Sequence, residues 1–576
     1  MNRSDIQRDR LLRVTILALG LVVFFPAMLA PFVNDDWWHA AMVDGTYPVK
    51  RGPFDLYDFI RDGDHPAMRA AGFLPWWTSP ALRVRFFRPL SSAALWSLQK
   101  VFGRAPLPMH CVSILWWTLA VVAAHALFRR LFSRRVAWLG TFVFALAPCH
   151  AVPILWLSNF EALASLATGT LGLVAFVRWR DDGRKIDLWL ATIAFSIAMA
   201  LGEYSLAAGG YVVALAWTGS GSRLRRALGT LPFFVPAIAY LALRFRLGYG
   251  TAGSGYYVDP LHQPLALITA IPFRAAVLVG DLLLSLRGDV AEAYGSKWTT
   301  ALMTLGVLVP LSVVAYDTLE RAEPTHARAC RAMLAGAALS LVPLMSVRPA
   351  PRLLGVVMLG VAPTIALILD RAWSQASDGL EGGRSQLRRT VAIGLGFFHL
   401  VHAPATAWLI GYQNASRARE LQEQASLLHA RTGDAAYADV TVVRSSGTSE
   451  LAMFAYDPAH GLPAHWNVLS SAGHILLVQR DDRTFDLLSA RDRSVIADFE
   501  DNLYRANDDR IPIGAHTRVG DATLTVLEDS AIGPSHVRVR FDRPFGSLAT
   551  SLVQERVSGF ESVVPPGIGF GAPLDP

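Results

Sequence analysis

Charge is scarce in this chain. Of its 576 residues only 17% are Asp, Glu, Lys or Arg, against 52% hydrophobic, and the mean hydropathy is +0.34. An ordinary soluble enzyme carries more charge than this, so a single water-exposed globule is excluded. Cysteine is scarcer still. Cys111, Cys149 and Cys330 form no CxxC pair and no metal-ligand spacing, which excludes a zinc ribbon or a thioredoxin-type motif. One bridge between Cys111 and Cys149 stays open, because both fall near the same expected face. His39, His65 and His110 share no helical face or ligand spacing, so a histidine zinc site is not expected. Beyond Ile410 no apolar run of spanning length remains. The formal charge of +7 would point to nucleic acid in a soluble chain. Here the arginines sit in short loops between apolar runs, where they orient helices instead.

What the chain has is a series of apolar runs of about 20 residues, enough to span a bilayer core. The first, Val14 to Val33, follows Arg3, Arg8, Arg10 and Arg13. That basic start keeps the N-terminus cytoplasmic and brings Asn34-Asp35-Asp36-Trp37-Trp38 out on the far side. The run Leu107–Phe128 ends in Arg129, Arg130, Arg134 and Arg135; Val136–Leu157 leads through Ser158-Asn159-Phe160 into a run closed by Arg178, Arg180, Arg184 and Lys185. Ile186 to Trp217 is long enough for two spans turning at Gly202-Glu203, and a further span precedes Arg244. Taking the basic clusters as cytoplasmic puts Glu161 and Glu203 on the same outer face as Asp35 and Asp36.

The loops of Arg321, Arg328 and Arg331 and of Arg371, Arg388 and Arg389 both read as cytoplasmic. Satisfying both predicts that Leu265–Leu286, with Pro272, Arg274 and Asp281 inside it, re-enters the interface rather than crossing. The expected count is about eleven crossings, an odd number that leaves the C-terminal part outside. The expected fold class is therefore an all-α polytopic membrane domain, residues 1–411, with a long first outer loop over 34–88. A helical stalk over 412–432 and a small β-rich extracytoplasmic domain over 433–576 follow. Alternating or β-rich runs at 438–443, 474–478, 522–527 and 537–541 predict its strands.

The first outer loop is aromatic, proline-rich and too long for a mere connector. After Arg88-Pro89, residues Leu90, Ala93, Ala94, Leu95, Leu98, Val101 and Phe102 form one apolar helical face, which predicts a helix along the membrane surface, started by the proline.

Four segments in order then resemble a family. FFRPLSSAALWSLQKVFGRAPLPMH, Phe86 to His110, is similar to the Arg-Pro-Leu segment of protein O-mannosyltransferases and their tetratricopeptide-bearing relatives, integral-membrane glycosyltransferases of the GT-C class. FALAPCHAVPILWLSNFEALASL, Phe144 to Leu166, resembles the membrane pair carrying an acidic residue after its turn, here Glu161. AMALGEYSLAAGG, Ala198 to Gly210, resembles the Lys-Glu turn, with Glu203 matching and Gly202 in place of the lysine. VRPAPRLLGVVMLG, Val347 to Gly360, resembles the late Arg-Tyr segment, with Arg352 kept and the tyrosine missing. No tetratricopeptide array follows. The resemblance implies inverting transfer of a sugar from a polyprenyl-phosphate carrier to an acceptor.

The residues suit that chemistry in their own right. An acceptor hydroxyl needs a positioned carboxylate to take its proton, and Asp35 or Asp36 is the candidate. A lipid-phosphate leaving group needs its negative charge stabilised, and the planar arginine fork binds phosphate oxygens in pairs. Arg88, Arg348 and Arg352 are the candidates, with Glu161, Glu203, Trp37 and Trp38 shaping the pocket. Each has a plainer alternative: the arginines as headgroup anchors, the glutamates as N-terminal helix charges. No cofactor is expected, although Mg²⁺ or Mn²⁺ at Asp35/Asp36 stays open because oxygen ligands suit those ions. The expected partners are a polyprenyl-phosphate sugar, a protein or glycan acceptor and membrane lipids, and not nucleic acid. A lipid-linked glycan ligase, a sugar-lipid transporter or binding protein, and an inactive assembly partner are the alternatives. The composition fits a bacterial inner membrane with the site facing the periplasm.

Overall fold

The computed structural model describes residues 3–219, 222–258, 263–288, 297–374, 383–437, 439–445, 463, 465–489, 493–496, 502–506, 508–548, 551–556 and 559–575. The first apolar run is one helix, Arg3–Met28. Its opening turns carry Asp5 and Asp9, and both pair with Arg134 at the start of the helix Arg134–Ala145. Among the described residues eight helices are long and apolar enough to cross a membrane, or nine if a bent pair forms one span. That pair, Arg134–Ala145 and Pro148–Leu155, meets at 48°, because Pro148 cannot continue the ladder of the first helix.

Eleven crossings were expected, and the difference lies in three runs. Lys185–Leu201 has 17 residues, Gly209–Trp217 has 9 and Leu231–Arg246 has 16, all short of the roughly 20 that a span requires. Leu265–Leu286 differs in the other direction. It forms one helix, Pro264–Leu284, of 21 residues and spanning hydropathy. Arg274 inside it donates to the Met345 carbonyl at 2.6 Å, which satisfies the charge that had argued against a crossing.

The predicted surface helix is Pro89–Phe102, with the proline in its first turn. The last membrane helix and the stalk are one element, Ala403–Tyr437, whose one internal non-helical residue is Gly433. The three cysteines are free.

Three sheets lie outside the helical layer. β1 (Asp58–Ile60), β2 (Arg83–Arg85) and β3 (Gly250–Ala252) form a small antiparallel sheet. Asp58, buried at the start of β1, accepts from Arg61 Nε at 2.7 Å and from both Arg85 Nε at 2.7 Å and Nη2 at 2.9 Å. The C-terminal part holds a four-stranded sheet and a six-stranded one. The first contains β4 (Asp439–Arg444), β5 (His465–Val468), β11 (Ser551–Arg556) and β12 (Gly559–Ser562), in the order β12-β11-β4-β5. The second contains β6 (Ile475–Gln479), β7 (Thr484–Ser489), β8 (His516–Val519), β9 (Ala522–Ser530), β10 (Gly533–Phe541) and β13 (Gly571–Leu574), in the order β13-β6-β7-β10-β9-β8. β4, β6, β9 and β10 fall where the four β-type runs predicted strands.

The first outer loop and these sheets share one hydrophobic core. Trp38, Tyr47 and Trp77 from the loop pack with Val440, Trp466 and Leu477 from the strands. Burial of this kind is worth roughly 25 cal/mol per Å² of apolar surface. Polar contacts fix the docking: Trp76 Nε1 donates to Leu469 O at 3.0 Å, and Ser79 N to Tyr504 O at 2.8 Å. Gly72, at φ +74°, lies so near the Trp466 carbonyl that a Cβ there would stand 1.7 Å from the oxygen. Only glycine fits both the conformation and the approach. The loop and the C-terminal strands therefore lie on one side of the helical layer, whatever the crossing count.

Candidate active site

Asp35 and Asp36 sit where the first outer loop begins, at the N-terminus of the helix Asp36–Asp44. Adjacent in sequence, they are in opposite situations. Asp36 is buried, 1% exposed, and both its oxygens are filled. Oδ1 accepts from Ser158 N at 2.7 Å and Ser158 Oγ at 2.6 Å; Oδ2 accepts from Val33 N at 3.0 Å and Leu157 N at 3.4 Å. Four donors saturate a carboxylate, so Asp36 clips the end of the first helix to the turn before Phe160–Asp182. His39 Nδ1 meets the same Ser158 hydroxyl at 2.8 Å, and Tyr57 donates its hydroxyl to Ser158 O at 2.7 Å. Burial holds His39 neutral by lowering it to about 3.

Asp35 is half-buried and accepts the indole N–H of Trp156. Burial raises it to about 6, against the pull of the Trp156 and Ser158 hydrogen bonds and of the Arg88 and Arg352 charges. Burial, with the Asp35 charge beside it, raises Asp36 to about 7. The other face of the story is Arg352. Its guanidinium lies over the Trp156 ring, 5.1 Å from the centroid, and its Nε is buried with no hydrogen-bond partner. Asp35, Trp156 and Arg352 thus form a half-buried row, carboxylate and cation joined by one indole.

Arg88 pairs with two carboxylates. Its Nε and Nη2 donate to Glu203 at 2.9 and 2.5 Å, and Nη1 donates to Glu161 Oε1 at 2.8 Å. Tyr57, Phe86 and Tyr204 enclose its guanidinium. Burial opposes the charge on Arg88, yet Glu203 and Glu161 hold its pKa well above the ordinary arginine value. Burial likewise works to raise Glu203, and Arg88 overturns it and keeps this carboxylate below its usual range. Glu161 is fully buried, with Asn159 Nδ2 donating to it at 3.0 Å.

Arg348 is half-buried in the segment between the helices Pro324–Leu344 and Gly355–Ser374. The chain from β3 pins that segment: Val258 N donates to Ser346 O at 3.0 Å, and Tyr257 bridges Val347. Trp37 packs on Phe32, while Trp38 lies buried in the outer core against Tyr47, Phe59 and Phe73. The structure thus gathers Asp35, Asp36, Arg88, Glu161, Glu203 and Arg352 at one place and leaves Trp38 behind it. Trp156, Ser158 and Tyr57 were not identified from the sequence. Ser158 was visible as the polar centre of an uncharged turn, whereas Trp156 and Tyr57 carried no local signal.

As for a metal, the described residues contain no group of three or more His, Cys, Asp or Glu side chains able to hold an ion. Asp36 has no free oxygen, so the acidic pair does not form a two-carboxylate ligand.

No protein-family model and no curated protein matches the chain. Solved structures do. One is ArnT from Cupriavidus metallidurans bound to undecaprenyl phosphate, with TM-score 0.41, 15% identity, and coverage of 79% of this chain and 85% of that one. Another is the apo Archaeoglobus fulgidus oligosaccharyltransferase, with TM-score 0.42, 12% identity, and coverage of 79% of this chain. A third is archaeal AglB from the same organism with an inhibitory peptide and a dolichol-phosphate, with TM-score 0.41 and 13% identity. This chain spans 64% of the length of each archaeal structure. These are GT-C glycosyltransferases, the class the sequence resembles. The likeness is loose at these values, and it does not bear on the narrower resemblance to protein O-mannosyltransferases.

Proposed function

We propose that this multi-pass membrane protein transfers a sugar from a polyprenyl-phosphate donor to a hydroxyl acceptor on the outer side of a bacterial inner membrane. The observation that carries the reading is the Asp35–Trp156–Arg352 row: a half-buried carboxylate and an arginine with a partnerless Nε flank one indole. The acceptor oxygen attacks the anomeric carbon from the face opposite the phosphate. The new C–O bond forms as the bond from carbon to phosphate oxygen breaks, and Asp35 takes the hydroxyl proton. Arg352 stabilises the charge left on the lipid phosphate, with Arg348 on the same segment as the second cation. Asp36 positions Asp35 by fixing the Ser158 turn. Arg88, held by Glu161 and Glu203, builds the polar wall instead of contacting the phosphate.

Of the acidic pair only Asp35 keeps an oxygen for a divalent ion, and Arg352 already supplies the charge such an ion would bring to the phosphate. The reaction proposed here is therefore metal-independent. The test is loss of label from polyprenyl-phosphate sugar by purified wild type and by Asp35→Asn. Consumption by the first and not by the second supports the reading; equal consumption by both removes Asp35 as the base.

A further inference from the structure

A second recess lies in the outer domain, away from Asp35 and Arg352. It is a cleft of about 490 Å³ between the first-loop segment 66–76, β5 and the β8–β9 turn, within the roughly 300–1,000 Å³ range of ligand clefts. Its wall includes the consecutive residues 465–468 of β5 and 517–521 at β8. Alternate residues line the face of a sheet; unbroken runs line its edge. Both strands are terminal in their sheets, and among the described residues each has a strand neighbour on one side only. The first loop meets the β5 edge, where Gly72 lies against the Trp466 carbonyl, so among the described residues β8 is the edge left open to the cleft.

The wall also holds polar atoms with no partner. Trp466 Nε1 and Asn467 Nδ2 belong to residues 1% and 7% exposed, and Arg69 Nε and Asp439 Oδ1 are unpaired as well. These atoms lie beneath the wall with almost no exposed surface, and it is the β8 edge that offers groups to a ligand. The cleft is connected to the candidate site. Phe73, in the same loop segment, packs on Trp38 with ring centroids 5.7 Å apart, in the helix that Asp36 begins.

We infer that this cleft binds an extended polypeptide by strand addition to β8, which, on the transferase reading above, makes the acceptor a protein. A sheet edge offers backbone N–H and C=O groups at the repeat of another strand, and only a polypeptide matches that repeat along its length. The mixed charges of Arg69, Arg518, Asp439 and Asp521 set no single-sign preference. Affinity then comes from main-chain bonds and tolerates varied side chains.

The β8–β9 hairpin identifies a backbone group to test. Val519 pairs with Ala522 across the two-residue turn Gly520–Asp521, and such a closing pair is hydrogen-bonded. Alternation then points the Arg518 N–H and C=O away from β9, toward the open edge. The probe is a fluorescein-labelled octapeptide alternating Thr and Val, titrated by anisotropy against the full-length protein in detergent without donor. Arg518→Ala keeps the N–H and binds as wild type. Arg518→Pro removes it, on an edge where proline is tolerated, and weakens binding roughly five- to tenfold, as loss of one hydrogen bond does. The same octapeptide methylated at alternate backbone nitrogens fails to bind the unaltered protein, an arm that needs no variant to fold. Equal binding of methylated and plain peptide, loss in Arg518→Ala as great as in Arg518→Pro, or binding of a manno-oligosaccharide in place of the peptide overturns the inference. Binding is read without donor and transfer in the separate donor assay, so peptide binding with no transfer in that assay contradicts the transferase reading alone, and transfer without peptide binding contradicts this inference alone.

Discussion

Asp35 and Arg352 meet through one side chain. Trp156 gives its N–H to the carboxylate, and the guanidinium lies over its ring at 5.1 Å from the centroid. Three residues far apart in sequence thereby hold a base and a cation about one indole apart.

The two aspartates should separate in experiment. Asp35→Asn keeps the fold and lowers transfer by about 10²- to 10⁴-fold, the usual weight of a general base. Asp36→Asn puts an amide N–H₂ against one of the two donor pairs, that of Val33 and Leu157 or that of Ser158, and loses about 1–3 kcal/mol of stability. Thermal unfolding in detergent, run beside the activity assay, shows the first as a catalytic loss at unchanged Tm and the second as a lowered Tm.

Activity should fall on the acid side. The base works ionised, burial raises Asp35 to about 6 and Asp36 to about 7, and neighbouring carboxylates titrate as a pair. The acid limb of kcat/KM is therefore expected between those values. Trp156→Phe removes a hydrogen bond that favours the charged form of Asp35, so the limb moves to higher pH. A limb unmoved in Trp156→Phe contradicts the contact.

Arg88 and Arg352 should answer differently to truncation. Arg352→Ala keeps Tm and lowers turnover by roughly 10²- to 10³-fold, as removal of one preorganised charge does. Arg88→Ala leaves Glu161 buried without its partner and costs about 3–5 kcal/mol. Adding Glu161→Gln to Arg88→Ala restores part of the lost Tm, which a direct phosphate contact by Arg88 would not predict.

Chelation should leave the rate unchanged. Asp36 accepts four hydrogen bonds and has no oxygen for an ion, so EDTA treatment followed by an assay without added Mg²⁺ or Mn²⁺ is expected to match the untreated enzyme. Loss of activity restored by either ion contradicts the metal-independent reading.

Much of this arrangement was readable in the residues. Arginine placement put Asp35, Asp36, Glu161 and Glu203 on one face, because loop charge reports topology directly. Pro89 marked the surface helix, and alternation in His536–Phe541 marked β10. Other features needed three dimensions. The sequence could not choose between Asp35 and Asp36, since what distinguishes them is a turn 122 residues away at Ser158. It gave no sign that Glu161 and Glu203 hold Arg88, because carboxylates that reach an arginine from far along the chain leave no local mark. Loop charge argued that Leu265–Leu286 turns back at the interface, and the Met345 carbonyl that receives Arg274 is likewise remote in sequence.

The most direct test of the central claim is a donor assay on the purified protein in detergent, with radiolabelled polyprenyl-phosphate mannose, glucose or arabinose and membrane extract as acceptor. The account predicts that one of these donors loses its label with wild type and none does with Asp35→Asn, while Asp35→Asn still binds that donor. Donor binding without loss of label in the wild type, or loss of label equal in both proteins, would contradict it.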